Sequence, residues 1–253
     1  MSGPAPWVLV VAGRDSSGRA GVDADREALE ALGLPARFVE TARTRQGAAG
    51  LEALGSVEPA RWLAEARAAL AGAPAALKLG LLPGARAIDA AAELLRAAHA
   101  SIAVLDPVLA PTRGGRFLQE EEVPLLRARL APLGAIWTPN LPELAELTGA
   151  PLARLAAEPV ERVEAARELL AGGARAVVVK GGHGAEEPLV DLLLEGETEP
   201  LWIERERVAG PGLGGSGCRF ASALAGRLAL GEPLPEAARH AGEWVAGLLR
   251  ARS

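Results

Sequence analysis

The sequence predicts an α/β protein with a mostly parallel central sheet and helices on both faces. Short apolar runs that are typical of buried strands alternate with longer stretches of helical periodicity along the chain. Polar residues with distinctive chemistry come directly after those runs, where the carboxyl ends of parallel strands form ligand sites. Hydrophobic residues make up 49% of the 253 residues, which is enough for a large core. We expect residues 1–253 to form a single domain.

The first half of the chain opens with Trp7–Ala12, an apolar run that Gly13 ends and that predicts a buried strand. A loop over Gly13–Gly18 leads to a helix over Gly21–Leu32, and weak alternation predicts a strand over Ala36–Thr41. The remaining elements of this half are a loop over Thr44–Gly50, a helix over Pro59–Leu70 with proline in its first turn, a strand over Ala75–Leu79, a turn over Leu81–Gly84, a helix over Ala85–Ala98 and a strand over Ile102–Leu105.

The second half contains the clearest buried strand, Ala176–Val179, and a hairpin of Leu189–Leu194 and Leu201–Val208 around Gly196. The other elements of this half are helices over Glu121–Leu130, Leu141–Leu147 and Pro159–Leu170, a strand over Ala135–Trp137, and two final helices over Cys218–Leu230 and Pro235–Leu249. The order of strands and helices favours βαβ units and therefore parallel strands.

The composition excludes several classes of function. A formal net charge of -5 argues against nucleic acid as the main partner. No apolar run approaches the ~20 residues of a membrane span, and the first residues lack a signal-peptide profile. A single cysteine excludes an intrachain disulfide and a multi-cysteine metal site. We expect a soluble, cytoplasmic protein that does not bind membranes.

Several residue types are so rare that their positions carry information. The rare positions are Lys78 and Lys180, Asn140, Gln46 and Gln119, and Cys218, which are all the lysines, asparagines, glutamines and cysteines of the chain. Chance survival is the alternative explanation for any one of them. We expect such residues to be kept where arginine, aspartate, glutamate or serine cannot perform the same chemistry.

A glycine-rich stretch from Gly210 leads into the helix that begins near Cys218. Such a loop presents unpaired backbone amides and the positive end of a helix dipole, which together bind phosphate. Gly212–Gly217 matches the dinucleotide fingerprint G-x-G-x-x-G, but only helices follow it, so we reject that assignment. A Walker A loop is absent, and a plain connector is the alternative. Cys218 lies in the first helical turn, where a thiolate is favoured.

The chain resembles the ribokinase-like superfamily, most closely the hydroxymethylpyrimidine and phosphomethylpyrimidine kinases of thiamine synthesis. The segments that carry the resemblance are Gly13-Arg-Asp-Ser-Ser-Gly-Arg-Ala-Gly-Val-Asp-Ala-Asp25, Ala42-Arg-Thr-Arg-Gln-Gly-Ala-Ala-Gly50, Lys78-Leu-Gly80, Asp106-Pro-Val-Leu109, Thr138-Pro-Asn-Leu-Pro-Glu143, Lys180-Gly-Gly-His183 and Gly215-Ser-Gly-Cys-Arg219. They run in the family's order, and the rare residues other than Gln119 fall on them. The resemblance implies a three-layer ribokinase-like sandwich.

The resemblance also implies a reaction, the transfer of the γ-phosphoryl group of ATP, with Mg²⁺, to a pyrimidine alcohol or its monophosphate. Cys218 would accept the substrate proton or orient the hydroxyl. The implied contacts are Gly215, Ser216, Gly217 and Cys218 to the migrating phosphoryl group, Gly13, Asp15, Gln46, Lys78 and Val108 to the substrate, Asn140, Lys180 and His183 to the nucleotide, and Asp106 and Glu143 to the metal. The resemblance further implies a homodimer.

Some of these assignments leave alternatives open. Asn140 and Glu143 are spaced for simple helix capping as well as for metal binding. His183 fits a loop residue near the nucleotide as well as a participant, and we interpret His99 and His240 as structural. A pyridoxal-type kinase and a catalytically weakened, ligand-binding homologue are the alternative functions.

Arginines replace small or polar residues of the family pattern, namely Arg14, Arg19, Arg43, Arg45, Arg113 and Arg219. General drift in an arginine-rich chain is one explanation. The other is a basic cleft for a more anionic substrate, since guanidinium groups bind phosphate and carboxylate. Gly214 and Gly47 replace further residues that the family pattern contains.

Overall fold

The computed structural model describes residues 5–47, 49–98, 101–208 and 213–252. The strands in these ranges are β1 (Val8–Asp15), β2 (Ala36–Gly47), β3 (Gly50–Ser56), β4 (Ala76–Leu79), β5 (Ile102–Leu105), β6 (Ile136–Trp137), β7 (Ala176–Val179), β8 (Leu189–Glu195) and β9 (Leu201–Arg205). The α-helices are α1 (Val22–Ala31), α2 (Pro59–Leu70), α3 (Ala85–Ala97), α4 (Val123–Leu130), α5 (Leu141–Thr148), α6 (Leu152–Ala157), α7 (Pro159–Ala171), α8 (Ser216–Ala229) and α9 (Leu234–Arg250). No helix of the described ranges is long and apolar enough to cross a membrane.

The strands form one sheet in the order β3-β2-β1-β4-β5-β6-β7-β8-β9. Neighbouring strands from β2 to β7 are parallel, while β3, β8 and β9 pair antiparallel with their neighbours. The predicted fold class, a mostly parallel sheet with helices on both faces, is therefore confirmed.

The core lies in two layers because the side chains of each strand alternate between the two faces of the sheet. Leu9 and Val11 of β1 belong to the layer that α2, α3, α4, α5 and α7 cover. Val8 and Val10 belong to the layer that α1, α8 and α9 cover. Strands covered on both sides are buried along their whole length, as β4 and β7 are. Such strands are mostly apolar, and Lys78 of β4 is the exception.

The predicted loop over Thr44–Gly50 is wrong. β2 continues to Gly47, and the chain returns from Gly50 as β3, which pairs antiparallel with β2. β3 is mostly exposed, so its sequence has no apolar run, and its backbone hydrogen bonds to β2 define it instead. The predicted loop after Gly13 also starts too early, because β1 extends to Asp15 by pairing with Thr44.

Other differences are smaller. Helix α6 (Leu152–Ala157) is short and was not predicted, and a 3₁₀ turn over Glu120–Glu122 precedes α4. Helix α8 begins at Ser216 and not at Cys218, which places Gly217 and Cys218 together in its first turn. His99 and the start of the glycine-rich stretch, Gly210–Gly212, lie outside the described residues.

Candidate active site

The carboxyl ends of five parallel strands and the start of α8 surround one cleft. Asp15 ends β1, Lys78 lies on β4, and Asp106 follows β5 directly. Asn140 follows β6 and caps α5, while Lys180 follows β7 and forms an isolated parallel bridge with Asn140. Because parallel strands end at the same edge, residues far apart in the sequence meet here.

A pocket in this cleft contains all the residues predicted to contact the substrate. Its wall is formed by Ala12, Gly13, Asp15, Ala20, Gly21, Thr44, Gln46, Lys78, Leu81, Val108, Phe117 and Cys218. Gly13, Asp15, Gln46, Lys78 and Val108 are the predicted members, and Cys218 lies beside them. Leu81, Val108 and Phe117 supply an apolar surface, and Asp15 and Gln46 supply polar groups, which is the composition of a small-molecule site.

One oxygen of the Asp15 carboxylate has no hydrogen-bond donor. Asp15 is 5% exposed, and its Oδ2 accepts a hydrogen bond from the Ser17 hydroxyl. Its Oδ1 is buried and has no hydrogen-bond partner among the described residues. A buried polar atom without a partner is costly, so this oxygen marks a place where a ligand can donate a hydrogen bond.

Gly13 and Gly21 allow the β1–α1 loop to close over this pocket. Gly21 has φ of 60°, and a Cβ there would lie 2.0 Å from the Gly13 carbonyl oxygen. A side chain at position 21 would therefore collide with the backbone of the pocket wall, so glycine is required.

Lys78 lines the pocket, but its charge is already paired. Its Nζ lies 2.8 Å from Asp25 Oδ1, and neither side chain is exposed to solvent. Ser222 of α8 donates to the same oxygen over 2.8 Å. Although burial opposes ionisation of the amine, Asp25, Cys218 and Asp106 raise the pKa of Lys78. Lys78 therefore acts as a fixed positive charge below the pocket.

The start of α8 presents open backbone amides. The Arg219 amide forms the first helical bond, to Gly215, and the Ser216 amide donates to Leu213 over 3.0 Å. In the described part of the chain, no acceptor is found for the amides of Gly215, Gly217 and Cys218. The Ser216 amide is thus engaged within the protein, whereas those of Gly215, Gly217 and Cys218 have no acceptor among the described residues. We call these three amides, with the start of α8, the anion loop.

The thiol of Cys218 is protonated at neutral pH, contrary to the expected thiolate. Burial raises the pKa of Cys218 to about 12, and the carboxylates of Asp106 and Asp25 act in the same direction. Lys78 and the Gly21 amide oppose this effect but do not reverse it. Desolvation and negative neighbours outweigh the favourable position at a helix start.

Asp106 and Lys180 form a buried ion pair next to the anion loop. Lys180 Nζ lies 2.9 Å from Asp106 Oδ1 and 3.9 Å from Glu143 Oε2. Although burial opposes it, Lys180 and Lys78 hold the pKa of Asp106 below its ordinary value, and the Cys218 thiol adds a hydrogen bond. A Cβ on Gly217 would lie 3.1 Å from Lys180 Nζ, so the lysine is directly beside the anion loop.

Asn140 and Glu143 form a capping box at the start of α5. Asn140 Oδ1 accepts from the Glu143 amide over 2.9 Å, and Glu143 Oε2 accepts from the Asn140 amide over 2.8 Å. The capping alternative therefore holds for this pair. Burial, with Asp106 and Glu146, raises the pKa of Glu143 to about 7. Because this pKa lies near neutral pH, a cation bound beside Glu143 would shift the carboxyl to its ionised form.

The segment after Lys180 is held from several sides. Asp191 accepts from the Gly181 amide over 2.8 Å, and Arg207 donates to the carbonyls of Gly182 and Gly184. His183 lies on this 3₁₀ turn, and desolvation and Lys180 lower its pKa. The neutral form of His183 is therefore favoured, and its contact with a nucleotide stays a prediction.

Four of the six unusual arginines are neutralised by carboxylates. Arg14 pairs with Asp23 and Glu40, and Arg43 also pairs with Glu40. The other two pairs are Arg45 with Glu52 and Arg219 with Glu27. These four arginines are therefore paired within the protein, which weakens the basic-cleft alternative and favours drift. Arg19 and Arg113 are exposed and have no acidic partner among the described residues.

Sequence reasoning missed the part of the site that depends on long-range contacts. Asp25 was not assigned a role, although it pairs with Lys78 and lies in the first matching motif. Phe117 and Leu81 complete the pocket wall without belonging to any of the motifs. Their apolar character carries no signal that distinguishes them from core residues.

Comparisons with known proteins find similar sequences over nearly the whole chain. A sequence model described as "Phosphomethylpyrimidine kinase" matches residues 15–253. The hydroxymethylpyrimidine/phosphomethylpyrimidine kinase of Streptomyces coelicolor is 37% identical over 97% of this chain and 89% of its own length. The thiamine biosynthesis bifunctional protein ThiED of Geobacter sulfurreducens is 36% identical over 98% of this chain. The match covers 50% of the length of ThiED.

A solved structure extends the comparison to the nucleotide. The ADP complex of Bacillus subtilis pyridoxal kinase superposes with a TM-score of 0.86 and 30% identity. The match covers 95% of this chain and 90% of that protein. The chain is therefore similar both to kinases of pyrimidines and to a kinase of pyridoxal. Overall fold does not distinguish these two substrates, so the distinction depends on the residues of the pocket.

Proposed function

Since the chain belongs to the phosphomethylpyrimidine kinase family, we propose that it transfers the γ-phosphoryl group of ATP to a hydroxymethylpyrimidine or to its monophosphate. This is the pyrimidine branch of thiamine biosynthesis. The observation that carries the proposal is the pocket in which Asp15, Gln46 and Cys218 lie together at the start of α8. This pocket places groups that suit an aminopyrimidine next to groups that suit a phosphoryl group.

The pocket suits a flat, amino-substituted ring. The buried Asp15 Oδ1 needs a donor, and the exocyclic amino group of the pyrimidine supplies one. The amide of Gln46 offers both a donor and an acceptor to the ring edge. Leu81, Val108 and Phe117 pack against the ring faces and exclude water.

The anion loop and Lys180 suit the phosphoryl group that moves. Phosphoryl transfer needs positioning and neutralisation of charge more than covalent chemistry. The open amides of Gly217 and Cys218 and the dipole of α8 supply donors that do not reorganise during the reaction. Lys180, held by Asp106, places a compact positive charge beside them.

Cys218 orients the substrate hydroxyl in this proposal. A thiol with a pKa of about 12 is a poor base at neutral pH. It keeps its proton, which is hydrogen-bonded towards Asp106, and its sulfur can accept weakly from the substrate. Of the two roles that the sequence left open, orientation fits this protonation state.

The carboxylates present fit a magnesium ion bound mainly by phosphates and water. In the described ranges no group of three or more histidine, cysteine, aspartate or glutamate side chains can hold a metal. Asp106 and Glu143 are two carboxylates beside the anion loop, and magnesium typically uses one or two such ligands. When bound, the ion would neutralise charge on the phosphate oxygens.

A pyridoxal-type kinase is the second candidate, because the fold matches the Bacillus subtilis pyridoxal kinase closely. A ligand-binding homologue without turnover is the third. Sequence identity of 37% to the Streptomyces coelicolor enzyme, together with Gln46 and Cys218 in the pocket, favours the pyrimidine.

A coupled assay of ADP release distinguishes the three. Hydroxymethylpyrimidine, its monophosphate and pyridoxal are each supplied with ATP and magnesium. We expect turnover with the pyrimidine or its monophosphate, and a Lys180→Met preparation, purified identically, shows whether the activity belongs to this protein. Turnover with pyridoxal alone supports the second candidate, and ATP binding without turnover supports the third.

A further inference from the structure

Arg219 is one of the largest fully buried side chains of the protein, at 2% exposure. It follows Cys218 on α8. Its Nε and Nη2 donate to Glu27 Oε2 of α1 over 2.9 and 2.5 Å. Its Nη1 donates to the carbonyls of Arg19 and Gly214 over 2.9 and 2.7 Å. Four of the five N–H groups of the guanidinium are thus bonded to protein groups, and the buried side chain is not presented to a phosphate.

These contacts join the two sides of the proposed site. Arg19 lies in the β1–α1 loop, next to Ala20 and Gly21 of the pocket wall. Gly214 lies directly before the anion loop. The two loops touch, because a Cβ on Gly215, which has φ of 75°, would lie 2.6 Å from the Arg19 carbonyl oxygen. One side chain therefore holds the pocket wall against the anion loop.

The bond to Gly214 lies at the start of α8. The Gly214 carbonyl accepts from the Arg219 side chain, and the first helical bond runs from the Arg219 amide to Gly215. The amide of Cys218 has no acceptor among the described residues. Arg219 therefore fixes the backbone directly before the open amides.

We propose that Arg219 is a positioning residue for phosphoryl transfer, which holds the β1–α1 loop to the anion loop and so fixes the position of the amides of Gly217 and Cys218 relative to the γ-phosphate. The proposal rests on the proposed kinase function. Arg219 does not touch the reacting atoms. Its effect is geometric, since small displacements of a preorganised site reduce the rate strongly.

The test compares the affinities of ADP and of the analogue AMP-PCP by calorimetry. The ratio of the two affinities reports the contribution of the γ-phosphate. Arg219→Lys keeps a positive charge near Glu27, but one amine cannot bond to Glu27 and both carbonyls. We expect Arg219→Lys to lower this ratio, and kcat, by about tenfold or more, with ADP affinity close to that of the unmodified protein.

Two further variants make the result interpretable. Arg127→Met is the matched control, because Arg127 of α4 also donates to carbonyls, those of Leu147 and Glu168, and pairs with the Glu168 carboxylate of α7, away from the site. It should leave the ratio unchanged. Glu27→Gln keeps an acceptor for Arg219 and should lower the ratio by a smaller factor, which tests the proposal if Arg219→Lys does not fold.

Two outcomes overturn the proposal in different ways. An unchanged ratio in Arg219→Lys, or equal losses of ADP and AMP-PCP affinity, overturns the positioning role alone. Failure of the unmodified protein to bind either nucleotide overturns the proposed kinase function, and the role of Arg219 falls with it.

Discussion

Lys78 Nζ and Asp25 Oδ1 lie 2.8 Å apart below the substrate pocket, and both side chains are completely buried. They come from β4 and α1, so the pair ties a central strand to the helix that follows β1. Its position next to Cys218 and Ser222 places a charged network in the part of the core that faces the site.

Removal of one partner leaves a buried charge without compensation. We therefore expect Lys78→Met to lower the free energy of unfolding by about 3–5 kcal/mol, measured by urea denaturation. Arg67→Met is the control, because the pair of Arg67 and Glu93 is half exposed and contributes at most about 1 kcal/mol. Equal effects of the two substitutions would show that burial of the Lys78 pair has no energetic consequence.

The protonation of Cys218 is open to a direct chemical test, because it is the sole cysteine. Only the thiolate reacts with iodoacetamide. A pKa raised from 9.0 to about 12 reduces the thiolate fraction at every pH below it. We expect alkylation at pH 8 to be about a thousandfold slower than that of a free thiol, and to keep rising with pH beyond 10. An apparent pKa below 8 would contradict the structural argument and restore the thiolate.

Substitution of Cys218 separates orientation from general base catalysis. Cys218→Ala should reduce kcat by about 10²-fold through lost orientation of the hydroxyl, while the KM for ATP changes little because the anion-loop amides remain. Cys218→Ser keeps a donor for Asp106 and an acceptor for the substrate, so it should lose less. These values come from initial rates of ADP release. If the alanine variant turned over normally, Cys218 would have no part in the mechanism.

The unpartnered oxygen of Asp15 predicts an effect on one substrate only. Asp15→Asn should raise the KM for the pyrimidine by about 10-fold or more, since a buried hydrogen bond is lost or replaced by a mismatch. The KM for ATP should not change, because Asp15 lies on the pocket wall and not at the nucleotide segment. Asp89→Asn, at an exposed pair with Arg129, serves as the control. An unchanged pyrimidine KM would exclude Asp15 from substrate recognition.

Elements with strong local signals were predicted closely. Helix α2 begins and ends at Pro59 and Leu70 as expected, and β5 and β7 have their predicted bounds. A proline in the first turn and an uninterrupted apolar run act over a few residues, so neighbours in the sequence contain the whole signal. Strand β3 was missed because its backbone bonds to β2 define it, and its exposed residues carry no pattern.

The sequence by itself determined the fold class, the family and the residues that gather at the strand ends, because apolar periodicity and short motifs are local. The tertiary structure decided how those residues are paired and ionised. Arg219 reaches Glu27 from 192 positions away, and Cys218 keeps its proton because burial and two distant carboxylates outweigh the start of its own helix. Desolvation and long-range contacts exist only in the folded chain, and they set the charge and position of each group in the site.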